Sequence, residues 1–288
     1  MNETKKMIIA ACVLFLIALL MTLYPIISNV YNEKHQSEIH TVYQEEVAEL
    51  TDEKLRIAKE SAMAYNESIR PGVQTEDAYS SQALISASLD YAGQLDIMEN
   101  GIMGYVKIPK IGVTLPIYHG TNADTLELGI GHLLGSSLPI GGESNHAVLT
   151  AHSGMASQKM FSDIDVLKRG DVFYLEVLDE ILAYQVDNLH TVLPHETDHL
   201  TIVPDKDYCT LVTCTPFGVN THRLLVRGER IPYEEATEIE VQQEIEEHTY
   251  STWEEKYANG IILGLILFII IDVIGFIYIY YENHKNAA

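Results

Sequence analysis

The chain has 288 residues, of which 41 are Asp or Glu and 18 are Lys or Arg, so its formal net charge at pH 7 is −23. Such an acidic chain lacks the positive surface that nucleic-acid phosphates require, and it is unlike a polybasic protein that binds anionic lipids. A hydrophobic content of 47% excludes a disordered chain, and three cysteines are too few for a disulfide-dense scaffold. We therefore expect one or two globular domains.

Two apolar runs stand near the ends of the chain. Residues 7–30 carry no charge and are long enough to cross a hydrocarbon core about 30 Å thick. A cleaved signal peptide is the alternative, but its apolar region is shorter and ends in small residues of the Ala-x-Ala type, which this run lacks. Residues 260–281 form a second run, interrupted only by Asp272. We predict two transmembrane helices, with Asp272 either contacting another helix or simply tolerated.

Basic residues at the outer ends of both runs set the predicted orientation. Lys5 and Lys6 precede the first run, and Lys285 follows the second. Because basic flanks stay on the cytoplasmic side, residues 1–6 and 282–288 are predicted to be cytoplasmic tails. The segment between the spans then lies outside the cell. The sequence predicts a multi-pass protein of the cell membrane with an extracellular domain and both termini in the cytoplasm.

Between the spans, the chain divides by composition into three parts. Residues 31–103 begin with apolar residues at helical spacing and end in a Ser- and acid-rich stretch, which predicts one or two helices and then a loop. Residues 104–233 are short apolar or alternating runs separated by Pro and Gly, which predicts at least six strands and, over residues 158–167, a helix. A mainly β domain of this kind favours a closed or partly closed β-barrel. Residues 234–259 are strongly acidic and predict a solvated helical stalk.

One motif in the β region matches a zinc-binding pattern. Residues 195–199 fit HExxH, but that pattern needs a helix that presents His195 and His199 on one face, together with a third ligand. Here the five residues lie between strand-like runs, so a polar connecting loop is the preferred interpretation. The sequence therefore predicts no metal site.

A second motif comes close to a dinucleotide-binding fingerprint. Gly129, Gly131 and Gly135 fall one residue short of its spacing, and no strand pattern precedes them. We interpret them as loop and turn glycines. The G-x-S-x-G sequence of a serine nucleophile does not occur either. No cofactor is predicted.

Cys214 is the best candidate for a nucleophile. A strand-like run over residues 210–214 ends at this cysteine, because residues 215–218 contain Pro and Gly, and a return strand begins near residue 222. If the two strands pair antiparallel, Arg223 lies opposite Cys214 with the Cβ atoms about 5 Å apart. A guanidinium there stabilises a thiolate and an oxyanion formed on an attacked carbonyl. The alternative is a buried strand cysteine beside a structural arginine.

Neither of the other two cysteines is a good disulfide partner for Cys214. Cys12 lies in the first predicted span, and Cys209 stands five residues before Cys214 in the same strand-like run, where two side chains do not easily meet in a disulfide. A free cysteine in an oxidising compartment needs an explanation, and catalysis is one. Cys209 is predicted to be a core residue.

Such a nucleophile also needs a group that transfers protons, which is most often a histidine. His152 ends an apolar run and precedes a turn, a position at which catalytic side chains are common. Four other histidines are similarly placed, namely His119, His132, His146 and His222. The residues alone leave the choice among the five open.

Several segments resemble one known family. Residues 210–230 (TLVTCTPFGVNTHRLLVRGER) closely resemble the signature of sortases, the Gram-positive cysteine transpeptidases. Residues 101–121, 131–154 and 171–186 are similar to the class C, or pilus-assembling, branch of that family, in which a second, C-terminal span is typical. The resemblance implies an eight-stranded β-barrel with N-terminal helices and a lid, and it implies no zinc.

The resemblance also implies roles for individual residues. By motif position, Cys214 corresponds to the nucleophile, Arg223 to the oxyanion-stabilising arginine and His152 to the catalytic histidine. Class C sortases usually carry an Asp-Pro-aromatic lid motif over the active site. The nearest match here is Asp77 with Tyr79, in which the Pro is missing. An acid that reaches Arg223 and a ring that covers Cys214 fit this position, and the alternative is a solvated loop acid and an unrelated tyrosine.

The reaction implied by the resemblance is acyl transfer between pilin subunits. The thiolate attacks a Thr carbonyl in an LPXTG-like sorting signal of a pilin precursor, and the thioacyl intermediate passes to a lysine amine of another pilin. Three alternatives remain: a sortase that attaches proteins to peptidoglycan, a secreted cysteine hydrolase, and a catalytically silent scaffold of pilus assembly.

Overall fold

The structure of the protein, a computed structural model, describes residues 3–69, 89–155, 157–245, 255, 257–267 and 270. The chain forms two compact units, Ile27–His248 and the combination of Met1–Ile26 with Thr249–Ala288. Within the second unit, the Tyr257 hydroxyl donates a hydrogen bond to the main-chain oxygen of Thr22 at 2.9 Å. In the described part of the chain, no helix combines the length and the apolar character needed to span a membrane.

The segment with helical spacing forms two long helices. Leu50 and Thr51 separate them. The hydroxyl of Thr51 accepts the main-chain N–H of Lys54, which satisfies a donor at the start of the second helix. This second helix packs on the barrel through Asn66, whose side chain bonds both the N–H and the carbonyl of Leu138, at 2.7 and 3.3 Å. The helices of the described residues are α1 Glu3–Glu49, α2 Asp52–Ile69, α3 Leu89–Ala92, α4 Ala123–Leu128 and α5 Tyr233–Ile245.

Eight strands form a closed barrel, which confirms the predicted mainly β barrel with N-terminal helices. The order around the barrel is β1-β2-β3-β4-β7-β8-β6-β5. The strands are β1 Ile102–Ile108, β2 Val113–His119, β3 Ile130–His132, β4 Asn145–Thr150, β5 Val172–Val177, β6 Glu180–Val192, β7 Asp207–Thr215 and β8 His222–Ile231.

The shortest strand, β3, corrects the interpretation of the glycines as loop residues. Gly131 lies in the middle of β3, where it pairs with Tyr118 of β2 and Thr150 of β4. A Cβ atom at this position would lie 2.4 Å from the main-chain oxygen of Gly120. The glycine is needed because two backbones approach closely, which is a use of glycine that strand periodicity does not reveal.

Two other elements differ from the expectations. The helix predicted over residues 158–167 is wrong, because only the single 3₁₀ turn Ile164–Val166 forms there. The acidic helix α5 packs against the barrel through Ala236, which is fully buried beside residues of β5 and β6. Its Glu240 accepts a hydrogen bond from the Tyr174 hydroxyl at 2.7 Å. These contacts fix the first turns of the helix on the barrel.

The strand order determines which chain ends meet. β4 and β7 are parallel neighbours, paired from Asn145–Asp207 to Thr150–Val212, whereas β7 and β8 are antiparallel. The carboxyl ends of β4 and β7 therefore lie side by side, next to the amino end of β8. Any side chains placed just beyond these three ends are neighbours.

Candidate active site

Cys214 lies near the end of β7, directly opposite Arg223 of β8. The two residues are Cα partners in the antiparallel register, as the sequence predicted. The next residue pair, Thr215 with His222, is the last of the ladder, and Pro216 then interrupts the strand because it has no N–H to donate. Cys214 is not part of a disulfide and is partly exposed.

Both residues belong to the outer face of the barrel. Leu211 and Val226 pack in the main core, whereas the neighbouring pair, Val212 and Leu225, belongs to a separate apolar cluster. Because side chains alternate between the faces of a sheet, Cys214 shares the face of Val212. The thiol therefore lies on the outer face of the barrel and not in the core.

Arg223 is held at the loop that joins β7 to β8. Its Nη1 donates to the main-chain oxygens of Asn220 and His222, both at 3.3 Å. The loop is itself closed, because the main-chain N–H groups of Val219 and Asn220 both donate to the oxygen of Pro216. The cation is thus fixed beside the end of the strand that carries the thiol.

His152 follows β4 and lies beside the same strand end. The N–H of Ala151 donates to the oxygen of Val212 at 3.1 Å, and the Thr213 hydroxyl donates to the oxygen of Ala151 at 2.7 Å. On the other side of His152, the Ser153 hydroxyl donates to the oxygen of Cys214 at 2.7 Å. The histidine therefore stands between two residues that are hydrogen-bonded to the end of β7. The backbone brings His152, Cys214 and Arg223 to the adjoining ends of three neighbouring strands.

Comparison with known proteins identifies the family. A family model described as a sortase domain matches residues 106–231. The crystal structure of sortase C-1 from Streptococcus pneumoniae is 45% identical, covers 68% of this chain and 99% of that chain, and superposes with a TM-score of 0.63. The chain belongs to the sortase family. The sequence-based assignment to this family and its class C branch is confirmed.

Two further sortases show the extent of the similarity. Sortase C1 of Streptococcus agalactiae is 46% identical over 68% of this chain and 98% of that chain, with a TM-score of 0.61. Sortase D of Bacillus subtilis is 32% identical over 131 residues, which are 44% of this chain and 63% of the relative. The chain spans between 60% and 64% of the length of the curated relatives that it matches.

The other four histidines lie away from the thiol of this sortase. Burial lowers the pKa of His132 and of His146 to about 4, and both imidazole rings are buried and hydrogen-bonded. Both ring nitrogens of His119 contact main-chain oxygens, of Gly101 and Gln94. His222 precedes Arg223 on β8, so the two side chains point to opposite faces of the sheet. Only His152 of the five stands at the end of β4 beside Cys214.

Burial and one carboxylate act on His152 in opposite directions. Burial lowers the pKa of His152, and the negative charge of Glu127 raises it. Glu127 lies in the last turn of α4, directly before β3. Since β3 pairs antiparallel with β4 up to Gly131 and Thr150, the end of α4 lies alongside the residues that follow β4. The net lowering favours a neutral imidazole at pH 7.

The residues of the HExxH pattern form a loop and a 3₁₀ turn instead of a helix. The turn covers Asp198–Leu200, and Glu196 accepts the main-chain N–H of Leu193 at 2.8 Å. The ring of His199 stacks on His190 with centroids 3.9 Å apart. The described residues contain no group of three His, Cys, Asp or Glu side chains that could hold a metal ion.

Two site residues of the sequence prediction are not part of this geometry. Asp77 and Tyr79 of the lid motif lie outside the described residues. Conversely, sequence reasoning missed Thr213 and Ser153, whose hydroxyls join β4 and β7 beyond the last strand pair. The signal for both is a hydroxyl residue beside the histidine or the cysteine at the end of a strand, which becomes meaningful only when the two strands are known to be neighbours.

Proposed function

We propose that the protein is a membrane-anchored cysteine transpeptidase that cleaves an LPXTG-like sorting signal of pilin precursors and joins the acyl group to a lysine amine of another pilin. The observation that carries the proposal is the backbone arrangement at the adjoining ends of β4, β7 and β8. Cys214 is paired with Arg223, and His152 stands between two residues bonded to the end of β7. A thiol, a guanidinium and an imidazole at neighbouring strand ends are what acyl transfer from a peptide requires.

The first half of the reaction forms a thioester. Neutral His152, favoured by its lowered pKa, accepts the proton of the Cys214 thiol. The thiolate attacks the carbonyl carbon of Thr in the sorting signal, and the negative charge that develops on the carbonyl oxygen is stabilised by Arg223. When the C–N bond breaks, the imidazolium gives its proton to the leaving amine. The acyl group is then bound to sulfur.

The second half transfers the acyl group to an amine. A lysine side chain of the next pilin attacks the thioester, its surplus proton passes to His152, and the sulfur leaves as a thiolate. The thioester must survive in water until the amine arrives, and a cover over the reacting groups favours this. We propose that the lid motif of Asp77 and Tyr79, which lies outside the described residues, provides this cover.

The pilus-related substrate is supported by the class of the solved relatives. A sortase C of Streptococcus pneumoniae, 42% identical to this chain, is described in terms of catalysis and pilin substrate specificity. A second solved relative, 38% identical, is described as sortase C1 of GBS Pilus Island 1. Each of these solved chains is covered over 93% or more of its length.

The membrane location is supported by the two apolar runs at residues 7–30 and 260–281 and by the basic residues outside them. We propose that both runs span the membrane and hold the barrel on the outer surface. A pilin precursor that is itself held in the membrane then meets the enzyme at a high effective concentration.

The test uses the full chain in detergent micelles, a quenched fluorescent LPXTG peptide and an amine acceptor. We expect amine-dependent ligation that Cys214→Ala lowers by about 10³-fold or more. Cys209→Ala is the matched control, because Cys209 lies on the same strand but in the core, and it should retain ligation.

The products separate the alternatives. Formation of the free acid alone, whatever amine is added, would identify a hydrolase. A strong preference for a peptidoglycan stem-peptide amine over a pilin lysine would identify an anchoring sortase. Unchanged pilin polymerisation by Cys214→Ala would leave only the scaffold.

A further inference from the structure

The ladder of hydrogen bonds between β4 and β7 ends before it reaches His152 or Cys214. The parallel ladder of β4 and β7 stops at Thr150 and Val212. His152 and Cys214 both lie two residues farther along, where no strand pairing fixes their separation. Whatever holds the imidazole and the thiol together must therefore come from the residues beside them.

Hydroxyl groups continue the connection past the end of the ladder. The Thr213 hydroxyl donates to the oxygen of Ala151 at 2.7 Å, and the Ser153 hydroxyl donates to the oxygen of Cys214 at 2.7 Å. Both distances are typical of a well-formed O–H···O hydrogen bond. The bond from Ser153 is the one that reaches the main chain of Cys214 itself.

The turn that contains Ser153 is closed on its other side by its own bonds. The N–H of Phe161 donates to the oxygen of His152 at 3.0 Å, and the N–H of Gly154 donates to the Ser162 hydroxyl at 3.0 Å. These bonds give the turn its shape but do not attach it to β7. The Ser153 hydroxyl attaches this preformed turn to the strand that bears the thiol.

We propose that Ser153 is a positioning residue that holds His152 at the distance from Cys214 needed for proton transfer. The proposal rests on the function proposed above. Without the hydroxyl, the oxygen of Cys214 loses its tie to the turn, and the imidazole is free to move relative to the sulfur. A displacement of about 1 Å can cost on the order of 10²-fold in rate, because proton transfer depends steeply on geometry.

The test compares two serines that join the same two strands at opposite ends. Ser144 precedes β4 and accepts the N–H of Asp205, which precedes β7, at 3.0 Å. Ser153→Ala and Ser144→Ala each remove one hydroxyl hydrogen bond between β4 and β7, and both serines are half-buried. Only Ser153 lies beside the histidine and the cysteine, so any general loss of barrel stability should appear in both variants.

The measurement is steady-state ligation of an LPXTG peptide to an amine by the full chain, together with thermal unfolding. We expect Ser153→Ala to lower kcat by 10-fold or more with KM changed less than twofold, and Ser144→Ala to leave both within twofold. Ser153→Thr keeps the hydroxyl and should recover at least half of kcat.

Three outcomes would overturn the proposal. These are a kcat within twofold of wild type for Ser153→Ala, equal losses of kcat in both alanine variants, or no recovery by Ser153→Thr. Wild-type and Cys214→Ala chains are assayed in parallel to test the proposed function separately. If the wild type shows no ligation, or if Cys214→Ala retains it, the proposed function is refuted, and this result is distinct from a failure of the role proposed for Ser153.

Discussion

A methyl group added at Gly154 should disturb the packing of the loop that follows Cys214. Gly154 has a φ of +80°, and a Cβ atom there would lie 2.4 Å from Cε2 of Phe217. Phe217 belongs to the loop between β7 and β8 and is 64% exposed, so its ring can move away from the new methyl. Gly218, in the same loop, has a φ of +74°, and a Cβ atom there would meet no other atom within 4 Å. Substitutions at the two glycines therefore cause the same kind of backbone strain, and they differ only in the contact with Phe217.

The expected free energies follow from these two differences. A non-glycine residue in the left-handed region costs about 1–2 kcal/mol, and both Gly154→Ala and Gly218→Ala incur this cost. In Gly154→Ala, Phe217 also loses its contact with the turn. About a third of its surface is buried, and full burial of a Phe side chain stabilises by about 1.5–3 kcal/mol, so the added loss is about 0.5–1 kcal/mol.

Thermal and urea unfolding of the full chain in detergent measures both variants. For a domain of this size each kcal/mol lowers Tm by about 2–4 °C, so Gly154→Ala should unfold about 1–4 °C below Gly218→Ala. Combining Gly154→Ala with Phe217→Ala should remove the extra loss, giving a coupling energy of about 0.5–1 kcal/mol. Equal Tm values for the two glycine variants, or additive losses in the double variant, would refute the assigned contact.

The remaining predictions concern pH. Because Glu127 raises the pKa of His152, Glu127→Gln should move the His152 NMR titration midpoint to lower pH, whereas Asp124→Asn on the same helix should leave it in place; an unchanged midpoint in Glu127→Gln contradicts the pairing. Burial lowers the pKa of His132 and of His146 from 6.5 to about 4, so the folded state favours their neutral forms, and the stability this gives is complete above pH 6.5 and lost as pH falls towards 4. Urea unfolding should therefore show a loss of about 2 kcal/mol per buried histidine between pH 7 and pH 5, and a flat profile over that range would contradict the burial of both rings.

The sequence was sufficient to predict the pairing of Cys214 with Arg223. The two strands are adjacent in the chain, and Pro216 and Gly218 mark the loop between them, so the register follows from counting back from the loop. The short apolar and alternating runs likewise predicted most of the strands of the barrel. Local signals of this kind are carried by residues that are close in sequence.

The choice of histidine depends on a different kind of information. His152 lies beside Cys214 because β4 and β7 pair in parallel, although about sixty residues separate them along the chain. No local pattern encodes which distant strand a given strand will join, so five histidines remained equivalent until the family resemblance singled out one. The same limit explains why β3 was missed, because its three residues gain their strand conformation from the neighbours on both sides.

The two cysteines of β7 show how position along one strand decides the chemistry of a thiol. Cys209 and Cys214 are an odd number of residues apart, so they point to opposite faces of the sheet. Cys209 is fully buried in the core, where burial first and then the charge of Asp207 raise the pKa of its thiol well above the usual value, and this disfavours the nucleophilic thiolate. Cys214 is partly exposed on the outer face, opposite the guanidinium-bearing Arg223 near the end of β7. A shift of one residue in the register of β7 would exchange these surroundings, and this is why the loop and the hydroxyl ties that fix the end of β7 matter as much to the proposed chemistry as the reacting groups.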